Sequence, residues 1–156
     1  MKYIYSCEKF NPHNTNHKEY IIVDETEIIT SPAHLHVFKD KTSNEKYCVV
    51  SDNIGVPMPY LKMDNEFFVG TSQYIYFFDC ISKKTERKLL NSPCTKILIS
   101  HNKIITICEF SVMIISLVDK RVVAEFEFSD VISDYKIYQD FLLIYFMEGT
   151  EQKIDI

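Results

Sequence analysis

The sequence predicts an all-β protein made of one four-stranded unit repeated along the chain. Two observations carry this. The first is composition: 10 Tyr and 11 Phe in 156 residues, with no Trp and only 3 Gly and 5 Pro. Aromatic and β-branched side chains suit a pleated, half-buried surface better than a helix. The second is spacing. Residues 27–40 (EIITSPAHLHVFKD), 66–79 (EFFVGTSQYIYFFD), 103–116 (KIITICEFSVMIIS) and 140–155 (DFLLIYFMEGTEQKID) each read as apolar strand, short turn, second strand. Their starts lie 39, 37 and 37 residues apart, and a recurring period of that size marks a repeat architecture.

Taken in order, Lys2–Ser6 reads as a lone N-terminal strand and Glu19–Val23 as the first inner strand. The 27–40 hairpin follows, then Tyr47–Val50 after the polar run Asp40–Asn44, and then Met58–Lys62. The 66–79 hairpin is succeeded by Arg87–Leu90 and Thr95–Ile99. After 103–116, a two-residue Asp119-Lys120 connection is expected to lead into Val122–Phe128. There Ala124, Phe126 and Phe128 alternate with Glu125 and Glu127, so one face is buried and one is wet. Tyr135–Tyr138, Phe141–Phe146 and Gln152–Ile156 complete the series. No segment carries a helical period.

A hairpin, polar turn, third strand and inner strand every 37–39 residues, with an aspartate near the third strand (Asp40, Asp79, Asp119), resembles the blades of WD40-type β-propellers. The Trp-Asp and Gly-His signatures of that family are missing. The resemblance implies one domain over 1–156 with four propeller-like blades at about 19–57, 58–94, 95–132 and 133–156 plus 2–6. In that arrangement the N-terminal strand fills the last blade and hides its sheet edge. A closed four-bladed ring and half of a dimeric eight-bladed ring both fit the count, and a β-sandwich remains open.

Composition also excludes. Net charge is −5 and no basic stripe is present, so nucleic acid is not an expected partner. The largest basic group is Lys83, Lys84, Arg87 and Lys88, and it reads as a solvated turn and strand. The five cysteines (Cys7, Cys48, Cys80, Cys94, Cys108) are odd in number, lack C-x-x-C spacing and mostly sit in apolar runs. They read as buried free thiols of a cytoplasmic protein. No stretch has the length of a signal peptide's apolar core or a membrane span. Three glycines cannot build a Gly-rich phosphate loop, and no G-x-S-x-G or H-E-x-x-H occurs. His34 and His36 would share a face on a strand, and His13 and His17 would do so only on a helix. Neither pair has an obvious third ligand. No enzyme, cofactor or metal is therefore expected.

One asymmetry points to function. Residues 125–156 hold eight of the 22 acids but only two of the 17 bases. Such a surface either solvates the chain or steers a basic partner. The candidate binding residues are Asp130, Asp134, Glu148 and Glu151, with Tyr135 and Tyr138 as aromatic anchors. A motif-free repeat scaffold with an acidic end is expected to be a protein-binding protein. The most specific form is a bacterial immunity protein that neutralises a basic nuclease toxin of the contact-dependent growth inhibition type. The alternative is a generic interaction scaffold subunit that homodimerises, and behind it stands a propeller-based enzyme.

Overall fold

The computed structural model describes residues 3–9, 21–25, 34–42, 44–51 and 59–156. They form fifteen strands and, among the described residues, no helix. The strands are β1 (Tyr3–Lys9), β2 (Ile21–Glu25), β3 (His34–Asp40), β4 (Lys46–Ser51), β5 (Tyr60–Met63), β6 (Glu66–Gly70), β7 (Tyr74–Asp79), β8 (Thr85–Leu89), β9 (Cys94–Ser100), β10 (Lys103–Cys108), β11 (Ser111–Ser116), β12 (Val122–Glu127), β13 (Ile132–Ile137), β14 (Phe141–Phe146) and β15 (Glu151–Asp155). Four separate sheets result, ordered β1-β3-β4-β2, β5-β6-β7-β8, β9-β10-β11-β12 and β13-β14-β15. The second to fourth are antiparallel meanders. This is the expected order of propeller-like blades, and four sheets in series exclude a two-sheet sandwich.

Apolar faces set the stacking. Phe38, Tyr47 and Val49 of the first sheet pack against Phe67, Val69, Tyr76 and Phe78 of the second. Phe68, Ile75 and Phe77 on the second sheet's other face meet Ile97, Ile104, Met113 and Ile115 of the third. Ile105, Ile107, Val112 and Ile114 then meet Leu142, Ile144, Phe146 and Ile154 of the fourth. The middle strands β6, β7, β10 and β11 are therefore buried on both faces and read as continuous apolar runs. Aromatic edge-to-face packing tightens the first junction, with Phe38–Phe67 centroids 5.1 Å apart and Tyr47–Phe78 5.5 Å apart.

The first sheet departs from expectation. The N-terminal strand does not complete the last sheet: β1 pairs antiparallel with β3, Tyr5 opposite Phe38. Its Tyr5 ring lies 5.3 Å from Phe38, and its hydroxyl hydrogen-bonds His36 Nδ1 at 2.8 Å. This aromatic packing ties β1 to the first sheet and leaves the fourth with three strands. The expected first inner strand is instead the outer edge strand β2, parallel to β4. The first hairpin is β3–β4, so equivalent hairpins begin at residues 34, 66, 103 and 141 rather than at 27. Asp40 consequently ends a different strand of its sheet from Asp79.

Turn chemistry explains the remaining connections. His101 and Asn102 both have positive φ (46° and 61°) and link β9 to β10 by a two-residue turn that matches sheet twist. Asp79 Oδ1 accepts from Ile81 N and Ser82 N (2.8 and 3.2 Å) and shapes the β7–β8 turn. The β11–β12 connection runs over five residues, 117–121, rather than two, with Lys120 at φ 56°. Lys120 is folded inward, 9% exposed, and its ammonium meets Glu66 Oε1 at 2.7 Å, Leu117 O at 2.7 Å and the Phe68 ring at 5.5 Å. It thus ties the third sheet to the second.

Two outcomes follow. Lys120→Met should lower stability by about 2 kcal/mol in denaturant melts, because Glu66 is left half-buried without its cation. Adding Glu66→Gln should recover part of that loss. The carboxyls of Asp79 and Asp119 lie below their ordinary value of 3.8. The causes are backbone N–H groups of Ile81 and Ser82 for Asp79, and Ser116 followed by the Arg121 N–H for Asp119. A depressed carboxyl stabilises above its unfolded pKa, and the contribution is lost as pH falls through the folded value. Replacing both by Asn should therefore flatten the loss of stability below about pH 4, measured by urea melts from pH 6 to 2.

Candidate functional site

The acidic residues come together at one end of the sheets. Three turns meet there: Glu109-Phe110 between β10 and β11, 128–131 between β12 and β13, and 147–150 between β14 and β15. Backbone bonds lace them together. Ile132 N donates to Glu109 O (2.8 Å), Phe128 N to Phe110 O (2.9 Å) and Met147 N to Val131 O (3.0 Å). The 90–93 turn joins through Glu109 N to Pro93 O (3.0 Å) and Phe110 N to Ser92 Oγ (3.1 Å).

Asp130 is the clasp. Its Oδ1 accepts from Val131 N at 2.7 Å and its Oδ2 from Glu148 N at 2.9 Å. One carboxylate therefore fastens the loop that joins the third and fourth sheets to the β14–β15 hairpin turn. Asn91 Nδ2 reaches back to both Glu125 (3.1 Å) and Glu127 and holds two exposed carboxylates side by side. Glu109, Glu125, Glu127 and Glu148 are exposed, and the stretches 90–94, 108–111, 125–132 and 146–151 contain no Lys, Arg or His. Among these acids stand two outward-facing apolar side chains, Phe110 (39% exposed) and Met147 (70%). Acids around exposed apolar groups make a surface that would attract a cationic protein and grip it by burial.

The predicted residues divide three ways. Asp130 and Glu148 lie at this end. Asp134, Tyr138 and Glu151 point to the fourth sheet's outer face, as the register Asp134↔Tyr145↔Glu151 requires. Tyr138 stacks on Phe141 with centroids 4.4 Å apart. Tyr135 packs into the core between the third and fourth sheets. Sequence reasoning missed Glu109, Phe110 and Met147, which lie in turns on strands of two different sheets. A Phe directly after an acid in a two-residue turn was the available signal.

Other predicted chemistry is placed as follows. His36 is buried and bonded to Tyr5, while His13 and His17 lie outside the described residues. Among the described residues no three His, Cys, Asp or Glu side chains gather as metal ligands. Cys48, Cys94 and Cys108 are buried free thiols and Cys80 is partly buried, while the Cys7 side chain lies outside the description. Burial pushes the Cys94 thiol well above its ordinary pKa, which keeps it unreactive. No described helix is long and apolar enough to cross a membrane.

No protein-family model matches the sequence, and no curated protein does. Solved structures do match in shape. The computationally designed Ika4 protein superimposes at TM-score 0.59 and 9% identity, over 78% of this chain and 79% of that one. Saccharomyces cerevisiae Sqt1 gives 0.59 and 9%, over 78% and 39%. BamB from Moraxella catarrhalis gives 0.53 and 9%, over 86% and 43%. Sqt1 and BamB are β-propeller proteins, so the fold is propeller-like and all-β. The chain spans under half the length of either.

If Asp130 is the clasp, Asp130→Asn should cost about 1–2 kcal/mol, since charge-assisted bonds to two backbone N–H groups weaken. It should also speed amide exchange at Glu148, while Glu148→Gln should leave exchange and stability nearly unchanged.

Proposed function

We propose that this chain is a non-catalytic protein-binding module whose acidic turn end docks a basic protein. The supporting observation is the gathering of Glu109, Glu125, Glu127, Asp130 and Glu148 around exposed Phe110 and Met147, in turns and a strand end free of any basic residue. The propeller-like fold agrees with a scaffold for protein partners.

The finer reading is a bacterial immunity protein of a contact-dependent growth inhibition system that neutralises a nuclease toxin domain. A nuclease active site that binds phosphates is cationic. A row of fixed carboxylates offers it the same charge without a scissile bond. The apolar pair Phe110 and Met147 would supply burial at the centre, and the surrounding acids would set encounter rate and orientation. Such a complex should weaken steeply with salt at the level of association rate.

The test is a tagged pull-down from the native cell, with partners identified by mass spectrometry and the chief partner then titrated in vitro. A single stoichiometric basic protein is expected. Glu109→Lys with Glu148→Lys should weaken it at least about tenfold, the equivalent of 1.4 kcal/mol. A toxin domain among the captured proteins, its nuclease activity blocked by the wild type and spared by the double variant, would establish the finer reading. A partner that is acidic, or one indifferent to the double variant, would overturn the assignment of this surface.

A further inference from the structure

The outer edges of the three meander sheets differ in what guards them. Among the described residues, the last strand of each has no neighbour on its far side. On β12, Phe128 N donates to Phe110 O at 2.9 Å, and Phe126 and Ala124 stand opposite Val112 and Ile114. The backbone groups of Ala124, Phe126 and Phe128 therefore turn to β11, and those of Glu125 and Glu127 turn outward. On β8 the bond from Leu90 N to Gln73 O (2.7 Å) sets the parity, so Thr85, Arg87 and Leu89 turn outward. On β15 the bond from Ile156 N to Asp140 O (3.0 Å) turns Glu151, Lys153 and Asp155 outward. A cation thus stands in the middle of the β8 and β15 edges, a common guard against strand addition. The β12 edge has none: both of its outward residues are carboxylates.

We propose that the β12 edge takes up an extended basic segment of the docked protein as a further antiparallel strand, with a basic side chain opposite each of Glu125 and Glu127. This mode of holding rests on the reading of the acidic end as a dock for a basic protein, and adds how that protein's backbone is gripped. Charge selects the occupant. In the added ladder, the residues opposite Glu125 and Glu127 exchange backbone bonds with them and share their face. Opposite charges in such pairs stabilise and like charges destabilise. The β12 edge of a second copy, with the same two acids, is therefore disfavoured. Asn91, a neutral group, takes Oε1 of each carboxylate, which leaves Oε2 of both for a cation. The residue between the two cations falls opposite Phe126, in the closer kind of pair. Phe126 is half-buried on the side of the fourth sheet, so an apolar side chain there would extend its packing. The segment that fits is basic, apolar, basic, bound by strand addition.

Length sets the strength. The register of β12 shifts beside Ile114, so the regular edge begins only at Ala124. Its outward backbone groups are the N–H and C=O of Glu125 and Glu127, and so few bonds hold a peptide only at about millimolar affinity. The edge therefore adds to a larger contact instead of replacing it. β12 runs directly into the 128–131 turn, so a strand added there continues onto the surface that Asp130 fastens beside Glu148.

Amide exchange read by NMR on the isotope-labelled chain tests the idea, with a short capped peptide of alternating lysine and valine as probe. At ten times its dissociation constant, about 10 mM, the peptide should slow exchange at Glu125 and Glu127 about tenfold. Exchange at Arg87 and Lys153, on the guarded edges, should not change. Methylating the backbone nitrogens of the lysines should abolish the protection, because those N–H groups face β12, while methylating those of the valines should not. Glu125→Lys with Glu127→Lys should lose the lysine peptide and take one of alternating glutamate and valine. Absence of protection at both amides would overturn the proposal. Equal binding of the two methylated peptides would do so as well, in favour of charge attraction without strand addition. A captured basic partner that needs Glu109 and Glu148, yet leaves exchange at Glu125 and Glu127 unchanged, would overturn the edge while the dock stood. Protection by the peptide with no basic partner captured would support the edge and count against the dock.

Discussion

A β-sheet that is apolar on both faces is stable only when it lies between two others, and that constraint orders this molecule. Phe67 and Val69 serve the first junction while Phe68, one residue along the same strand, serves the second. Ile105 and Ile104 divide in the same way between the third and second junctions. Each middle sheet is thus shared, and neither neighbour can be removed without baring a full apolar face. Stability in such an array is close to a sum over neighbouring pairs, so the ends behave differently from the middle. The acidic turn end is built where the third and fourth sheets meet.

The polar features are subordinate to that stack but decide what it presents. Lys120 bridges two sheets over an aromatic pair, and Asp130 fastens two turns so that their carboxylates point together. A β-meander brings every second turn to the same end, and stacked meanders bring those turns side by side. Acids distant in sequence, such as Glu109 and Glu148, therefore share one surface with no contact needed between their side chains.

Much of the fold was legible. The period, the strand pairs at 66–79 and 103–116, and the alternation over Val122–Phe128 all correspond to real elements, because two-sided burial and period-2 alternation are local signals. The first sheet was not legible. Its strands are ordered by a long-range choice: Tyr5 against Phe38 and His36 draws β1 away from the last sheet, and β2 takes the outer edge in a parallel pairing. Neither leaves a local trace. The acidic asymmetry was visible as a count, but its geometry was not. Tyr135 and Tyr138 lie three residues apart and looked like a pair, while strand alternation with the tight turn sends one into the core and the other to the outer face.

The most direct measurement of the stacking on which everything rests is side-chain oxidative footprinting of the isolated protein. Met147 should oxidise readily while Met113, between the second and third sheets and 4% exposed, stays protected until global unfolding. Phe110 should likewise react while Phe67, Phe68 and Phe77 stay silent. Oxidation of Met113 at a rate near that of Met147 under native conditions would contradict the stack, and with it the assignment of the turn end as the exposed binding surface.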